Sequence, residues 1–286
     1  MGQVVHTLHE GEPVLGLTSL AGELCVLRRK ERDQVEVYDT ISYRLQRRIT
    51  VPNARGLTGI TACEHCSCVY ISDYIVQCIH RLSAPGVATW WPVNHKPHGI
   101  SVNASHNLLV TCHHFRKIKE FNSHGKFLRE LTLPDDVITP LHAIQTHSGQ
   151  FIVCHGGRND AVHRVCKISE DGRQVVQSHD GQQGSATDQY NGPVRLAVDS
   201  NEFVFVVDVY NRQVKLLSPT LGYIREVVCS GDLQWWPRKL YLDIRRRRLY
   251  VADSERHSSR ACRGVLCLAC SRHHALQTVR FLCCQY

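Results

Sequence analysis

Short apolar runs alternate with polar turns along almost the whole chain, and the same order of runs returns several times. Each unit opens with a short apolar strand near a proline or a turn, marked by the aliphatic residues Leu17, Ile60, Ile100, Ile144, Leu196 and Leu240. A second strand rich in Val and Phe follows, as in VFVVD from Val204 and LYVAD from Leu249. A third strand comes after a loop, as in QVKLL from Gln213, and a fourth strand ends most units. The pattern therefore predicts short strands throughout.

The period of the units predicts the architecture. Four short strands that recur every 40 to 52 residues are the signature of a β-propeller. We predict an all-β fold, a six-bladed β-propeller of four-stranded antiparallel blades that occupies residues 14–270. A pair of β-sandwiches is the alternative, but a period kept over six units disfavours it.

A propeller must join its last blade to its first, because open strand edges promote aggregation. The opening residues, MGQVVHTLHEG, read like GRQVVQSHDG from Gly172, which is the predicted outer strand of the fourth unit. We therefore expect residues 1–13 to supply the outer strand that closes the last blade. Residues 271–286 form a divergent tail rich in Cys and His, in which Leu276–Leu282 could compete for that outer position.

One unit carries a more specific motif, Asp208-x-x-Asn211-Arg212-x-Val214. It resembles the NHL repeat, in which an Asp ends the second strand and Asn-Arg or Asn-His opens the third. The Asp is kept at Asp73, Asp208 and Asp253, whereas Arg28, Cys112 and His155 occupy the other three units. The chain thus resembles the NHL propellers of tripartite-motif ubiquitin ligases, without their RING and B-box modules. The resemblance implies RNA recognition on a basic face, and a role in ubiquitin ligation only beside a ligase subunit.

Composition narrows the setting. The chain has 286 residues, 14 cysteines and a formal charge of +8. No apolar run is long enough to span a membrane, and the first residues do not resemble a signal peptide. We expect a soluble cytoplasmic protein, monomeric and not membrane-bound, with reduced thiols.

Clusters of Cys and His raise the question of a metal. Cys63-x-x-Cys66-x-Cys68 has half the spacing of a zinc knuckle, and Cys267-x-x-Cys270 is followed by His273 and His274. His98 and His142 begin two inner strands and could face a central metal, as in the propeller of the amidating lyase of peptide hormones, which the chain resembles in this respect. A catalytic zinc usually takes three protein ligands. We therefore expect no metal, no cofactor and no catalytic residue, and a metal-dependent lyase or hydrolase remains an alternative.

Basic residues point to a binding face. In a propeller blade, the loop between strands two and three lies at the same end as the link to the next blade, and many Arg and Lys fall in these segments. The predicted binding residues are Arg28, Arg29, Lys30, Lys96, Arg116, Arg158, Arg212, Arg238 and Lys239, with Trp91 and Trp236. Arg and Trp favour a protein or peptide partner, single-stranded RNA is the alternative, and a solvated rim is the third interpretation. The sequence thus predicts a non-catalytic binding scaffold.

Overall fold

The computed structural model of the chain describes residues 4–9, 14–28, 34–83, 87–179, 181–233, 235–254 and 264–269. Within them, strands pair antiparallel in four-stranded sheets, and the helical structure is one 3₁₀ turn, His113–Phe115. No helix in these ranges is long and apolar enough to cross a membrane. The predicted tail, residues 271–286, lies outside the described residues, as do Cys270, His273 and His274.

Five blades are each built from four consecutive strands. The first contains β2 (Val14–Leu20), β3 (Glu23–Arg28), β4 (Gln34–Asp39) and β5 (Leu45–Thr50). The second contains β6 (Leu57–Cys63), β7 (Cys68–Asp73), β8 (Cys78–Ser83) and β9 (Val87–Pro92). The third contains β10 (Gly99–Val102), β11 (Leu108–Cys112), β12 (Lys117–Phe121) and β13 (Phe127–Thr132). The fourth contains β14 (Pro140–Gln145), β15 (Phe151–His155), β16 (Arg164–Ile168) and β17 (Val175–His179). The fifth contains β18 (Pro193–Val198), β19 (Val204–Asp208), β20 (Gln213–Leu217) and β21 (Tyr223–Val228).

The remaining strands do not form a continuous unit, so the continuous blades number five rather than the expected six. A further four-stranded sheet joins β22 (Trp236–Asp243), β23 (Arg248–Ser254), β24 (Gly264–Ala269) and β1 (Val4–His9), in the order β1-β24-β23-β22. We call it the composite sheet, because β1 comes from the opposite end of the sequence. β1 runs antiparallel to β24, with Thr7 opposite Leu266.

The innermost strands follow one another around a central axis. β2 packs against β6, β6 against β10, β10 against β14, β14 against β18, β18 against β22, and β22 against β2. The second strands of the blades are buried and rich in β-branched and aromatic residues, such as Phe205 and Val207. The core therefore lies between neighbouring sheets, as in a β-propeller.

The repeated Asp has a defined structural task. The carboxylate of Asp73 accepts a hydrogen bond from the backbone N–H of Arg55 at 2.8 Å, and Asp208 accepts one from Asn191 at 2.7 Å. Asp253 likewise accepts one from the N–H of Trp235 at 2.9 Å. Each Asp therefore ties the end of a second strand to the link that enters the same sheet. These hydrogen bonds place the predicted loops and links at one end of the fold, which we call the loop face.

Candidate functional site

Burial removes part of the predicted basic face. Arg28 is only 2% exposed, and its Nε donates to the carboxylate of Glu36 at 2.6 Å. Glu36 also accepts hydrogen bonds from Tyr38 and Arg48. Burial acts to raise the pKa of Glu36, but these donors outweigh it and hold the pKa below its ordinary value. Arg28 thus belongs to the interior rather than to a binding surface.

Two further predicted arginines are engaged within the loop face. The half-buried Arg116 forms an ion pair with Asp135 at 2.6 Å. Arg212 donates to the carbonyl oxygen of Leu233 at 2.6 Å and lies 5.9 Å from the ring of Trp236. Both guanidinium groups stabilise local structure, so they offer less charge to a partner than the sequence predicts.

The other predicted cations are scattered. Lys96 and Arg158 are exposed, and Arg238 is half-buried. Lys239 is directed away from the rim into the centre of the fold. Arg29 and Lys30 lie outside the described residues. The structure therefore does not assemble the predicted set into one continuous basic surface.

The two tryptophans of β9 point in opposite directions. Trp91 is 8% exposed and packs edge-on against Tyr70 and at a tilt against Phe121, with ring centroids 6.0 and 6.3 Å away. Trp90 is 60% exposed. The predicted partner-binding Trp91 is thus a core residue, and the half-buried Trp236 packs against the core of the fifth blade.

A second surface on the loop face goes beyond the sequence prediction. It comprises the aromatic and apolar residues of two neighbouring loops with one lysine, and we call it the aromatic–basic patch: Tyr74, Ile75, Val76, Lys96, His114 and Phe115. Ile75 is 62% exposed and Phe115 is 50% exposed. The sequence does carry a signal for it, because Tyr74–Val76 is an apolar run in a loop whose counterpart in the first unit is RRKERD.

The patch is held together by specific contacts. Lys96 lies over the ring of Tyr74, with Nζ 4.9 Å from the centroid. The hydroxyl of Tyr74 is 3.1 Å from Nε2 of His114. Phe115 packs edge-on against His95 at 4.2 Å. These contacts connect the loops of the second and third blades into one surface.

The innermost strands enclose an axial channel with a cavity of about 580 Å³. Much of its lining is aliphatic and comes from all six inner strands: Leu17, Ile60, Ile100, Ile144, Leu196 and Leu240. The lining extends to Gly22, Glu64 and Arg246 in the loops between first and second strands. The channel therefore reaches the face opposite the loop face.

Near the loop face, one level of the channel is polar on one side only. Six residues of the inner strands share one register position. Each lies opposite the second-strand residue that comes just before the repeated Asp or its counterpart: Gly16, Gly59, Gly99, His142, Arg195 and Lys239. Three adjacent blades thus contribute glycine, and the following three sheets contribute long polar side chains. The prediction that His98 and His142 share a position is wrong, because His142 lies opposite Cys154 as Gly99 lies opposite Thr111, one residue away from the alignment of HGI with HAI.

The polar side chains of this level are fixed in place. His142 accepts a hydrogen bond from the N–H of Leu196 at Nδ1, 3.2 Å away, and its Nε2 lies 3.2 Å from the carbonyl oxygen of Ile100. Burial, reinforced by Arg195, lowers the pKa of His142 to about 3. Nη1 of Arg195 donates to the carbonyl oxygen of Val194 at 2.9 Å, and Nζ of Lys239 reaches the carbonyl oxygen of Thr58 at 2.8 Å. His142 is therefore neutral, and both of its nitrogens are occupied.

Within the described residues, no group of three or more His, Cys, Asp or Glu side chains is arranged to hold a metal ion. His98 uses Nδ1 to contact the carbonyl oxygen of Leu141 at 3.0 Å. Cys63 accepts a hydrogen bond from the N–H of Cys66 at Sγ, 3.4 Å away. The cysteines of that motif therefore close a tight turn between β6 and β7.

No protein-family model matches the chain, and no curated protein sequence does so. Solved structures do resemble it. Virginiamycin B lyase from Staphylococcus aureus, in a catalytically inactive form with quinupristin, has a TM-score of 0.66 at 13% identity, over 92% of this chain and 98% of that one. The Swd1 β-propeller domain from Myceliophteria thermophila has a TM-score of 0.62 at 11% identity, over 95% of this chain and 100% of that one. A chain of a nidogen/laminin complex has a TM-score of 0.60 at 13% identity, over 77% of this chain and 82% of that one. At these identities the likeness establishes the fold alone, a β-propeller.

Proposed function

We propose that the chain is a six-bladed, non-catalytic binding scaffold that uses the aromatic–basic patch of its loop face to hold a protein or peptide partner. The observation that carries the proposal is the exposure of Ile75 and Phe115 in two loops that the contacts of Tyr74 with Lys96 and His114 join. In this proposal the composite sheet acts as the sixth blade, because β22 packs against both β18 and β2 and β1 covers the free edge of β24.

The chemistry of the patch favours a peptide with an apolar side chain next to an acidic one. Large exposed apolar side chains are the usual anchors of protein interfaces, where they fill a partner's pockets and exclude water. Ile75 and Phe115 supply this apolar area. Lys96 stays over the ring of Tyr74 and is exposed, so its ammonium group can pair with a carboxylate of the partner.

The same geometry disfavours RNA as the leading ligand. A single strand needs cations spaced along a groove, with rings on which bases can stack. Arg28 is buried in an ion pair, Arg116 is paired with Asp135, and the ring of Trp91 is enclosed in the core. An enzymatic role has less support, because both ring nitrogens of His142 are already engaged.

A peptide library displayed on phage tests the proposal, because it samples many side-chain combinations at once. The wild-type protein should select peptides that combine an apolar and an acidic residue. Ile75→Ser and Phe115→Ser should weaken these peptides by about ten- to a hundredfold, the usual effect of removing an interface anchor. Lys96→Glu should weaken peptides that carry the acidic residue most.

Ile41→Ser is the matched control. Ile41 is 81% exposed and lies in the turn between β4 and β5, away from the patch, so its loss removes similar apolar area without changing the patch. Equal losses in Ile41→Ser and Ile75→Ser would contradict the proposal. Binding of a random single-stranded RNA pool that Lys96→Glu abolishes, with no peptide selected, would establish the nucleic-acid alternative instead.

A further inference from the structure

We propose that the axial channel is a binding site for a small organic anion, a carboxylate or phosphate with an apolar body. Arg195 and Lys239 would hold the anionic group, and the aliphatic part of the channel would cover the apolar body. This site is separate from the aromatic–basic patch and does not depend on the function proposed for it.

The register of the inner strands places two cations beside the cavity at the charged level. A side chain in place of Gly16 or Gly99 would collide with the next inner strand, because a Cβ atom would lie 2.7 Å from Ile60 and 2.5 Å from the carbonyl oxygen of Leu141. At the equivalent position of two other sheets the chain places Arg195 and Lys239, and both line the cavity. The glycines thus let neighbouring inner strands approach closely, and the open space at this level is the cavity that Arg195 and Lys239 line.

Arg195 is buried without a carboxylate. The residue is 8% exposed, and no Asp or Glu of the described ranges lies within ion-pair distance of its guanidinium group. Its hydrogen bonds all leave from Nη1, which also lies 3.4 Å from Nδ1 of His98. Nε and Nη2 thus remain for a ligand, and a guanidinium group binds carboxylate or phosphate oxygens with two parallel donors.

A buried cation is costly unless an anion compensates for it. Burial lowers the pKa of Arg195, which reflects the same unfavourable environment. A bound oxyanion would remove this cost, so the charged level of the channel is suited to receive one.

The rest of the cavity fits an apolar body. Its volume of about 580 Å³ lies within the usual range for small-molecule sites, roughly 300–1,000 Å³. Below the charged level the lining combines aliphatic residues, such as Leu17 and Ile144, with the hydroxyl-bearing residues Thr18, Ser101 and Tyr241. At the far end Asp243 is paired with Arg246 at 3.2 Å, so its carboxylate is already compensated.

Three ligands of equal chain length test the proposal: octanoate, octyl phosphate and 1-octanol. We expect octanoate or octyl phosphate to raise the melting temperature and to bind in calorimetry at least about tenfold more tightly than octanol, and the better of the two identifies the anionic group. Arg195→Met and Lys239→Met should each reduce that affinity by about ten- to a hundredfold, as expected for loss of a charged hydrogen bond. Arg173→Met is the matched control, because Arg173 is 83% exposed and outside the channel.

Location is tested directly by anomalous scattering from 8-bromo-octanoate in a crystal. We expect the bromine among the aliphatic residues and the carboxylate at Arg195. If Arg195→Met fails to fold, the affinity of Lys239→Met and the position of the bromine still test the proposal. Equal affinity for octanol and octanoate, unchanged affinity in the variants, or no binding of any probe would each overturn the proposal.

Discussion

Replacement of Arg28 by Met separates a structural role from the predicted binding role. The substitution keeps most of the aliphatic stem but leaves Glu36, which is 1% exposed, without its closest cation. Removing one member of a buried ion pair costs about 3–5 kcal/mol when the other is left alone. Glu36 keeps its hydrogen bonds from Tyr38 at 2.7 Å and from Arg48 at 3.1 Å, so we expect a smaller loss, about 2–3 kcal/mol.

Thermal unfolding measures this loss. The entropy of unfolding for 286 residues that unfold together is roughly 0.6 kcal/mol per kelvin. The melting temperature should therefore fall by about 3–5 °C. The difference should depend on pH. Because the folded-state pKa of Glu36 lies below its ordinary value of 4.5, the ionised form stabilises the fold above that pH and the contribution is lost as the pH falls through the folded pKa. The gap between wild type and variant should therefore narrow in acid.

Arg173→Met serves as the control and should change the melting temperature little, because Arg173 is exposed. The reasoning would be refuted if Arg28→Met left the melting temperature unchanged, or if the gap widened in acid rather than narrowed. A loss of partner binding at unchanged stability would return Arg28 to the binding face.

Two pairs of substitutions and one labelling experiment test the packing. Gly99→Ala should lower the free energy of unfolding by about 1–3 kcal/mol in urea titrations, because its Cβ would overlap the neighbouring inner strand. Gly231→Ala is the control and should be nearly neutral, because the space around Gly231 is open. Equal effects of the two substitutions would contradict the close approach of the strands at Gly99. Trp91→Ala should cost about 3–5 kcal/mol and Trp90→Ala under about 1, and the reverse order would mean that the strand faces the other way. Burial raises the pKa of Cys154 to about 12, so its thiol should react with Ellman's reagent only after unfolding, and rapid labelling of the native protein would contradict its placement.

The sequence predicts the strands well because their signal is local. Alternation and period identify runs such as Val204–Asp208, and the structure confirms them as strands. The prediction that the repeated Asp ends a second strand is correct for Asp73 and Asp208, whereas β23 continues one residue past Asp253 to Ser254. The structure adds the reason for the Asp, because Asp73 and Asp208 each bind the backbone of an incoming link.

The direction in which a side chain points at a strand end depends on the pairing of the strands rather than on the local sequence. For this reason the predicted exposure of several residues fails. The sequence counts Arg28, at the junction of the second strand and the following loop, among the residues of the binding face, but as the last residue of β3 it faces Glu36 on β4. Trp90 and Trp91 are neighbours with opposite orientations, and only the pairing of β9 with β8 decides which ring is buried. The pairing of inner and second strands also decides which residues are equivalent: Ile100 pairs with the third residue of its second strand and Ile144 with the second of its own, so His142 lies level with Gly99 rather than with His98.

The pairing of β1 with β24 sets a schedule for synthesis. Thr7 and its partner Leu266 are separated by almost the whole sequence, so β1 leaves the ribosome long before β24 exists. At about 5–20 residues per second, the delay is roughly 13–50 s. Throughout this interval the backbone N–H and C=O groups of β1 have no strand partner. Once β23 is made, its outer edge also stays unpaired until β24 appears. A nascent chain of this protein therefore passes through a stage in which five blades can be complete while β1 and the outer edge of β23 are still unpaired. At that stage either strand can pair with a wrong partner, including another copy of the same chain.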